Sequence, residues 1–187
     1  IARNYCINLY VKSSISNAPG TLLESKIEPI KISRGGLELT KTVNSLEIVE
    51  KQVIFSLSNL PDKPGIAAQI FETLSEVEIN VDLIIQASHE ENSNDIAFTV
   101  SESCFHKTIE KCDLIIRNLG GEYTFKKNMT KLSIQGAGIM GRPSVSAELF
   151  DTLSKANVNV SLIATSEIKV SCVIDLKDIS KAIRMLG

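Results

Sequence analysis

The chain has 187 residues, of which 43% are hydrophobic and 22% charged, and a net charge of -2 with both signs interspersed. This is the composition of a soluble globular protein, and it gives no electrostatic footprint for nucleic acid or an anionic membrane, so neither is expected as a partner. Its longest apolar stretches, such as Val81–Ile85, fall far short of the roughly 20 residues that a helical membrane span needs.

In chain order, Thr42–Val49 has strand character but no obvious partner nearby. Gln52–Asn59 is short, rich in β-branched and aromatic residues and followed by Pro61, the pattern of a strand entering a turn. Pro64 suits a first helical turn, where its missing N–H needs no acceptor. Ile66, Ile70, Phe71, Leu74 and Val77 then recur at helical spacing. Val81–Ala87 and Asp95–Ser101 read as strands, Thr108–Leu119 as a helix ended by Gly120-Gly121, and Tyr123–Lys127 as a fourth strand. The pattern then starts again. Gly141–Ala164 repeats Asp62–Ile85 at an offset of 79 residues, with Pro64/Pro143, Phe71/Phe150, Leu74/Leu153, Asn80/Asn159, Val81/Val160 and Leu83/Leu162 among the identities. Such a fixed-offset match marks two copies of one supersecondary unit. The second copy reads as a strand at Lys131–Gln135, a helix at Pro143–Ala156, strands at Val160–Thr165 and Lys169–Asp175, and a helix from about Lys177.

The order βαββαβ predicts an α+β fold of two tandem ferredoxin-like units, each an antiparallel sheet with its helices on one face. The second copy runs out of chain before its fourth strand, and an unpaired edge invites cover. Thr42–Val49 is the segment expected to fill it.

Four cysteines, Cys6, Cys104, Cys112 and Cys172, lack clustered spacing, and His89 and His106 have no partner at ligand spacing, so no metal is expected. Reduced packing cysteines fit a cytoplasmic protein. Nothing at the N-terminus reads as a signal peptide, and the first residue is Ile1, so a piece of a longer chain is expected.

The DKPG turn at Asp62–Gly65, the INVD run at Ile79–Asp82, the NDIAFTV strand and the GAGIMGRP…NVNVSLIATSEIKVSCVI stretch resemble the tandem ACT regulatory domains of aspartate kinases. ARNYCINLYVKSSISNAPGTLL is similar to the segment that ends the kinase domain of those enzymes. The resemblance implies three parts: residues 1–40 as the end of a kinase domain with its linker, 41–128 as a first ACT domain and 129–187 as a second. It implies a parent enzyme that phosphorylates aspartate, with ATP and Mg held in a kinase domain absent here. The KFGGTS-like opening motif is missing, as are a P-loop and a strand–turn–helix GxGxxG. No cofactor and no catalytic residue are therefore expected in this segment. Gly136-Ala137-Gly138 with Gly141 is better read as a regulatory bend than as a dinucleotide site.

The function implied is sensing of a free amino acid, lysine or threonine, for feedback control, by a homodimer that signals to the kinase domain of the same protein. A zwitterion needs donors for its carboxylate and acceptors for its ammonium. The Asp62-Lys63-Pro64-Gly65 turn offers both: the amides of Gly65, Ile66 and Ala67 at a helix start suit a carboxylate, and Gly65 permits close approach. Asp62 is either an ammonium acceptor or a helix cap. By the resemblance, Asn80, Val81 and Asp82 line the effector pocket. Gln86 reads a hydroxyl or an ammonium, or is an exposed strand residue. Asp82, Glu90 or Glu91 would answer a lysine side chain. In the second copy, Gly138, Ile139, Met140, Asn159 and Val160 form a candidate second effector site, although Asp62 has no counterpart and Ser161 replaces Asp82. That copy is either a pocket of different selectivity or a packing partner. Two other readings stand beside these: a separately encoded regulatory subunit, and a dimerisation scaffold that binds no ligand.

Overall fold

The structure is a computed structural model that describes residues 9–12, 21–23, 43, 45–89, 93–136, 139 and 143–186. It divides into two units, Ile1–Lys31 and Ile32–Gly187. In the first, β1 (Leu9–Val11) and β2 (Thr21–Leu23) pair antiparallel, with Leu9 opposite Leu23. The rest of the segment that resembles the end of a kinase domain lies outside the described residues.

The second unit runs β3 (Ser45–Pro61), α1 (Ile66–Ser75), β4 (Val81–His89), β5 (Ser93–Ser101), α2 (Phe105–Leu119), β6 (Glu122–Gln135), α3 (Pro143–Lys155), β7 (Val160–Thr165), β8 (Lys169–Asp175) and α4 (Ile179–Leu186). One antiparallel sheet holds all six strands in the order β4-β5-β3-β6-β8-β7. Two of these strands are longer than the sequence pattern predicts. Thr42–Val49 and Gln52–Asn59 read as separate segments, as do Tyr123–Lys127 and Lys131–Gln135. In the fold, β3 is 17 residues long and β6 is 14. The apparent breaks are bulges: Lys51 and Asn128 each adopt φ 57, and the β3–β6 register shifts between Val49 and Gln52. A bulge bends a strand without ending it.

The long strands serve both repeats. Val53–Ser58 of β3 lies between β5 and the first half of β6, with Phe55 opposite both Phe98 and Phe125. Ser45–Val49 pairs instead with Lys131–Gln135, Leu46 opposite Ile134 and Val49 opposite Lys131. Each half of β3 and β6 is thus the first strand of one repeat or the fourth strand of the other. The first repeat supplies all four strands of its own sheet, whereas the second takes its fourth strand, Ser45–Val49, from the chain that precedes the first.

Period-two alternation sends successive strand residues to opposite faces, and both faces are covered. On the helix face of the first repeat, Phe55, Phe98, Ile70, Leu74 and Cys112 form a core with at most 1% exposure, and Phe55 and Phe98 stack with centroids 5.7 Å apart. The matching core of the second repeat is built on Leu132, Leu149, Leu153, Cys172, Ile174 and Ala182. A fully buried side chain of this kind contributes about 1.5–3 kcal/mol. On the opposite face Ile54, Met129 and Val173 pack together, joined by Leu83 and Leu162 from the two edge strands. This third cluster takes residues from both repeats and closes the sheet over itself, bringing β4 near β7.

Candidate functional site

The turn from β3 to α1 is set by Gly65, whose φ of +95° is left-handed and which stands as the helix N-cap with no side-chain cap bond. A Cβ there would meet nothing within 4 Å, so the backbone conformation, not crowding, calls for glycine. Pro64 consequently lies in the turn ahead of the helix rather than in its first helical turn as the sequence predicts, because α1 begins at Ile66. The Lys63 amide donates to the Pro61 carbonyl at 3.1 Å, and the Ile66 amide makes a long 3.4 Å bond to the Lys63 carbonyl. The first turn therefore keeps its amide dipoles weakly engaged, the condition that favours an anion at a helix start. Ile66 is buried in the core and Ala67 half-buried.

Asp62 caps nothing: its Oδ1 accepts from Asn94 Nδ2 at 2.7 Å. Asn94, only 3% exposed, leaves its own Oδ1 without a partner among the described residues. A buried amide oxygen with no donor is costly, and Asn94 stands behind Asp62, whose exposed carboxylate is the acceptor that the turn presents. Asp62 is legible in the sequence as a site residue and Asn94 is not, its only signal being an asparagine at the start of an otherwise apolar strand. Nearby, Asp95 takes hydrogen bonds from the His89 side chain at 3.0 Å and from the Asn59 amide at 3.1 Å. The His89 bond first, and the Asn59 amide after it, hold the Asp95 carboxyl below its ordinary range against the opposing effect of burial.

Asn80 immediately precedes β4 and is exposed, while Val81 and Asp82 open the strand, with Val81 packed against the first core. The strand bulges between Val81 and Ile84, where the Leu83 amide donates to Thr99 Oγ1 at 3.0 Å. Asp82 is already paired, accepting from Lys131 Nζ of β6. Gln86 is an exposed strand residue opposite Ile96. These residues do not converge on the Asp62–Ala67 turn within one chain. The turn adjoins Asn94, which faces Leu60 on one side and Ser88 on the other, and so it neighbours the end of β4. Asn80–Asp82 lies at the beginning of that strand, at the far end of the 10-residue α1, a rise of about 15 Å.

In the second repeat Gly138 and Met140 lie outside the described residues, as do Glu90 and Glu91 in the first. Ile139 is 4% exposed and belongs to the second core. Asn159 and Val160 line an open cleft of about 720 Å³ between the end of α3 and the start of α4, with Phe150, Leu153 and Ser154 on one wall and Lys177 and Lys181 on the other. Asp178, buried beneath it, accepts from Lys181 Nζ at 2.7 Å. Ser166 and Glu167 sit in the exposed turn between β7 and β8, where the Ser166 amide donates to the Lys169 carbonyl at 2.7 Å. Burial pushes the Cys112 and Cys172 thiols up to about 12, which makes them packing residues, not nucleophiles. Among the described residues no group of three or more His, Cys, Asp or Glu side chains is placed to hold a metal, and no helix is long and apolar enough to cross a membrane.

Two α+β repeats that share one antiparallel sheet define the class of fold, and the chain belongs to the ACT domain family, whose model matches residues 58–113 and 132–187. Within it the similarity is to aspartate kinases. The aspartokinase of Thermus thermophilus is 32% identical over 185 residues, 98% of this chain and 44% of the relative. The crystal structure of aspartate kinase from Synechocystis matches with 40% identity and a TM-score of 0.77, over 99% of this chain and 33% of that one. The regulatory subunit of aspartate kinase from Thermus thermophilus, in its ligand-free crystal form, matches with 31% identity and a TM-score of 0.73, over 78% of this chain and 96% of that subunit. The chain thus corresponds to an aspartate kinase regulatory region, and it spans under half the length of the curated relatives it matches.

Proposed function

We propose that the chain senses an end-product amino acid, lysine or threonine, and controls by feedback the kinase domain of an aspartate-phosphorylating enzyme. In this reading the segment is not catalytic and holds no cofactor, the ATP and Mg belong to the kinase domain, and the whole works in the cytoplasm. The domain limits are residues 1–40, 41–128 and 129–187, with Ser45–Val49 lent to the second ACT unit.

The observation that carries the reading is the separation of the two half-sites. Among the described residues β4 pairs only with β5, so its other edge, although it approaches β7, has no strand hydrogen-bonded to it. Antiparallel pairing of that edge with β4 of a second copy sets the Asn80–Asp82 end of one strand beside the Ser88–His89 end of the other, where the Asp62–Gly65 turn stands. A homodimer therefore builds the pocket that one chain leaves in two halves. There the first-turn amides of α1 take the effector carboxylate, and Asp62, held in place by the Asn94 amide, takes its ammonium. Effector binding favours one dimer arrangement only by differential affinity, with a coupling to the kinase of about 1–3 kcal/mol.

The test is titration calorimetry of the chain with lysine and threonine, separately and together, alongside its mass in solution. Saturable binding by a dimer, weakened at least about tenfold in Asp62→Ala, is the expected result. A folded dimer that binds neither amino acid would make the chain a scaffold instead. The near-complete overlap with the Thermus regulatory subunit favours a second arrangement, a separately encoded subunit, which a kinase domain upstream in the same reading frame would exclude.

A further inference from the structure

Lys131 is a buried lysine. Its side chain is 8% exposed, and it lies on the face of β6 that also carries Met129 and Ser133, beneath the third core. Its ammonium donates to Asp82 Oδ2, reached from the second repeat across to the edge strand of the first. A buried ammonium stripped of its counter-ion is strongly destabilising, so this pair is not readily given up. The equivalent position in the second repeat is Ser161, and it too faces a lysine of β6: Lys126 Nζ donates to Ser161 Oγ at 3.1 Å. In both repeats the residue after the Asn–Val pair of the edge strand is thus met by a cation from within the chain. Neither repeat leaves a free carboxylate there.

We propose that Lys131 is a specificity-determining residue: its ammonium takes the place against Asp82 that the side-chain ammonium of a cationic effector would need, so the β4 site admits an amino acid with an uncharged side chain and rejects lysine. The inference rests on the reading above that Asn80–Asp82 belongs to the effector pocket. An incoming lysine would either confront the Lys131 charge or displace it. Displacement leaves a buried ammonium without an acceptor, and confrontation sets two like charges against one carboxylate. Threonine meets neither penalty, because its hydroxyl is neutral and needs only a hydrogen-bond partner, a role open to Gln86. Specificity of this kind works by repelling the wrong ligand as much as by attracting the right one.

The experiment is titration of threonine and of lysine into the wild-type chain, into Lys131→Met, which keeps the volume and removes the charge, and into Lys131→Arg, which keeps the charge. Wild type and Lys131→Arg should bind threonine and exclude lysine. Lys131→Met should gain lysine affinity by about tenfold or more, and adding Asp82→Asn should abolish the gain. Lys131→Gln gives the same readout if the methionine variant does not fold. Wild type binding lysine as tightly as threonine, or a folded Lys131→Met that gains nothing for lysine, overturns the assignment. Binding of neither amino acid to wild type or to any variant overturns the effector reading on which it stands.

Discussion

Because β3 and β6 each run through both repeats, the two helical cores should unfold together, and a matched pair of substitutions tests this. Leu74 and Leu153 occupy equivalent positions 79 residues apart, each 1% exposed, one in each core. Truncating either to alanine removes a fully buried side chain and leaves a cavity, at a cost of about 2–5 kcal/mol. In a single cooperative unit of this size each kcal/mol lowers Tm by about 2–4 °C, so a loss of about 3 kcal/mol shifts the whole transition by about 6–12 °C. Scanning calorimetry should show one transition for wild type and for both variants, displaced by similar amounts whichever core is cut. Met129→Ala, which opens the cluster between the repeats, should lower the same single transition. The reasoning is refuted if Leu74→Ala splits the endotherm, moving one component and leaving a second at the wild-type temperature. That would mean that the shared strands do not couple the two cores.

Other expectations concern single groups. Gly65→Ala should cost only the left-handed strain of about 1–2 kcal/mol, whereas Gly121→Ala should cost distinctly more in urea denaturation, since at φ +81° its Cβ would lie 2.4 Å from the Ser58 carbonyl oxygen of β3. Tyr123, whose hydroxyl donates to Asp113 at 2.7 Å, has its ionisation pushed up to about 12 by burial first and then by that carboxylate. Ultraviolet titration should therefore show this phenol ionising after an ordinary tyrosine, and its contribution to stability is present below about pH 10 and lost as the pH rises toward the folded value. Asp95 gives the opposite sign: its carboxyl is lowered by His89 and the Asn59 amide, so its contribution is present above an ordinary aspartate pKa of about 3.9 and lost as the pH falls through the lower folded value. The pair is well exposed, so His89→Ala should cost at most about 1 kcal/mol and should raise the pH of acid unfolding.

The helices and most strands were legible because their apolar residues repeat at 3.6 or at 2, and the offset identities show two copies of one unit without any structure. Thr42–Val49 reads as a strand with no partner nearby, and Ser45–Val49 finds one in Lys131–Gln135. What the pattern hid was continuity. Glu50-Lys51 and Lys127-Asn128 are polar pairs that read as punctuation, and nothing local tells a bulge with φ 57 from a loop. Lys131 was equally hidden. Between Thr130 and Leu132 it reads as the solvent-facing member of an alternating strand, and it is buried only because the far face of the sheet is closed by Leu83 and Leu162, which lie about 30–50 residues away in either direction. The candidate site was legible as residue types but not as a place. DKPG and the Asn–Val pair stand 15 residues apart in sequence, yet they fall at opposite ends of a helix that strand pairing holds rigidly apart.

The continuity of β3 and β6 through both repeats also bears on why the two copies have diverged unevenly. Leu74/Leu153, Leu83/Leu162 and Asn80/Asn159 are kept, and each lies in a core or at an edge-strand start whose geometry the shared sheet dictates to both repeats. A change of register in either copy would flip the side chains of β3 or β6 and unpack both cores at once. The β3–α1 turn and its counterpart after β6 lie beyond the last shared pairs, so they are free of that constraint. There DKPG faces GAGIMGRP, and the partner position on the edge strand holds Asp82 in one copy and Ser161 in the other, each met by its own lysine from β6. Coupling through the sheet fixes the frame of both candidate sites, while the chemistry at the turns and at the lysine-facing positions remains separately adjustable. Selectivity for an amino acid should accordingly be transferable by exchanging the turn and the Asp82–Lys131 pair, without touching the strands that hold them.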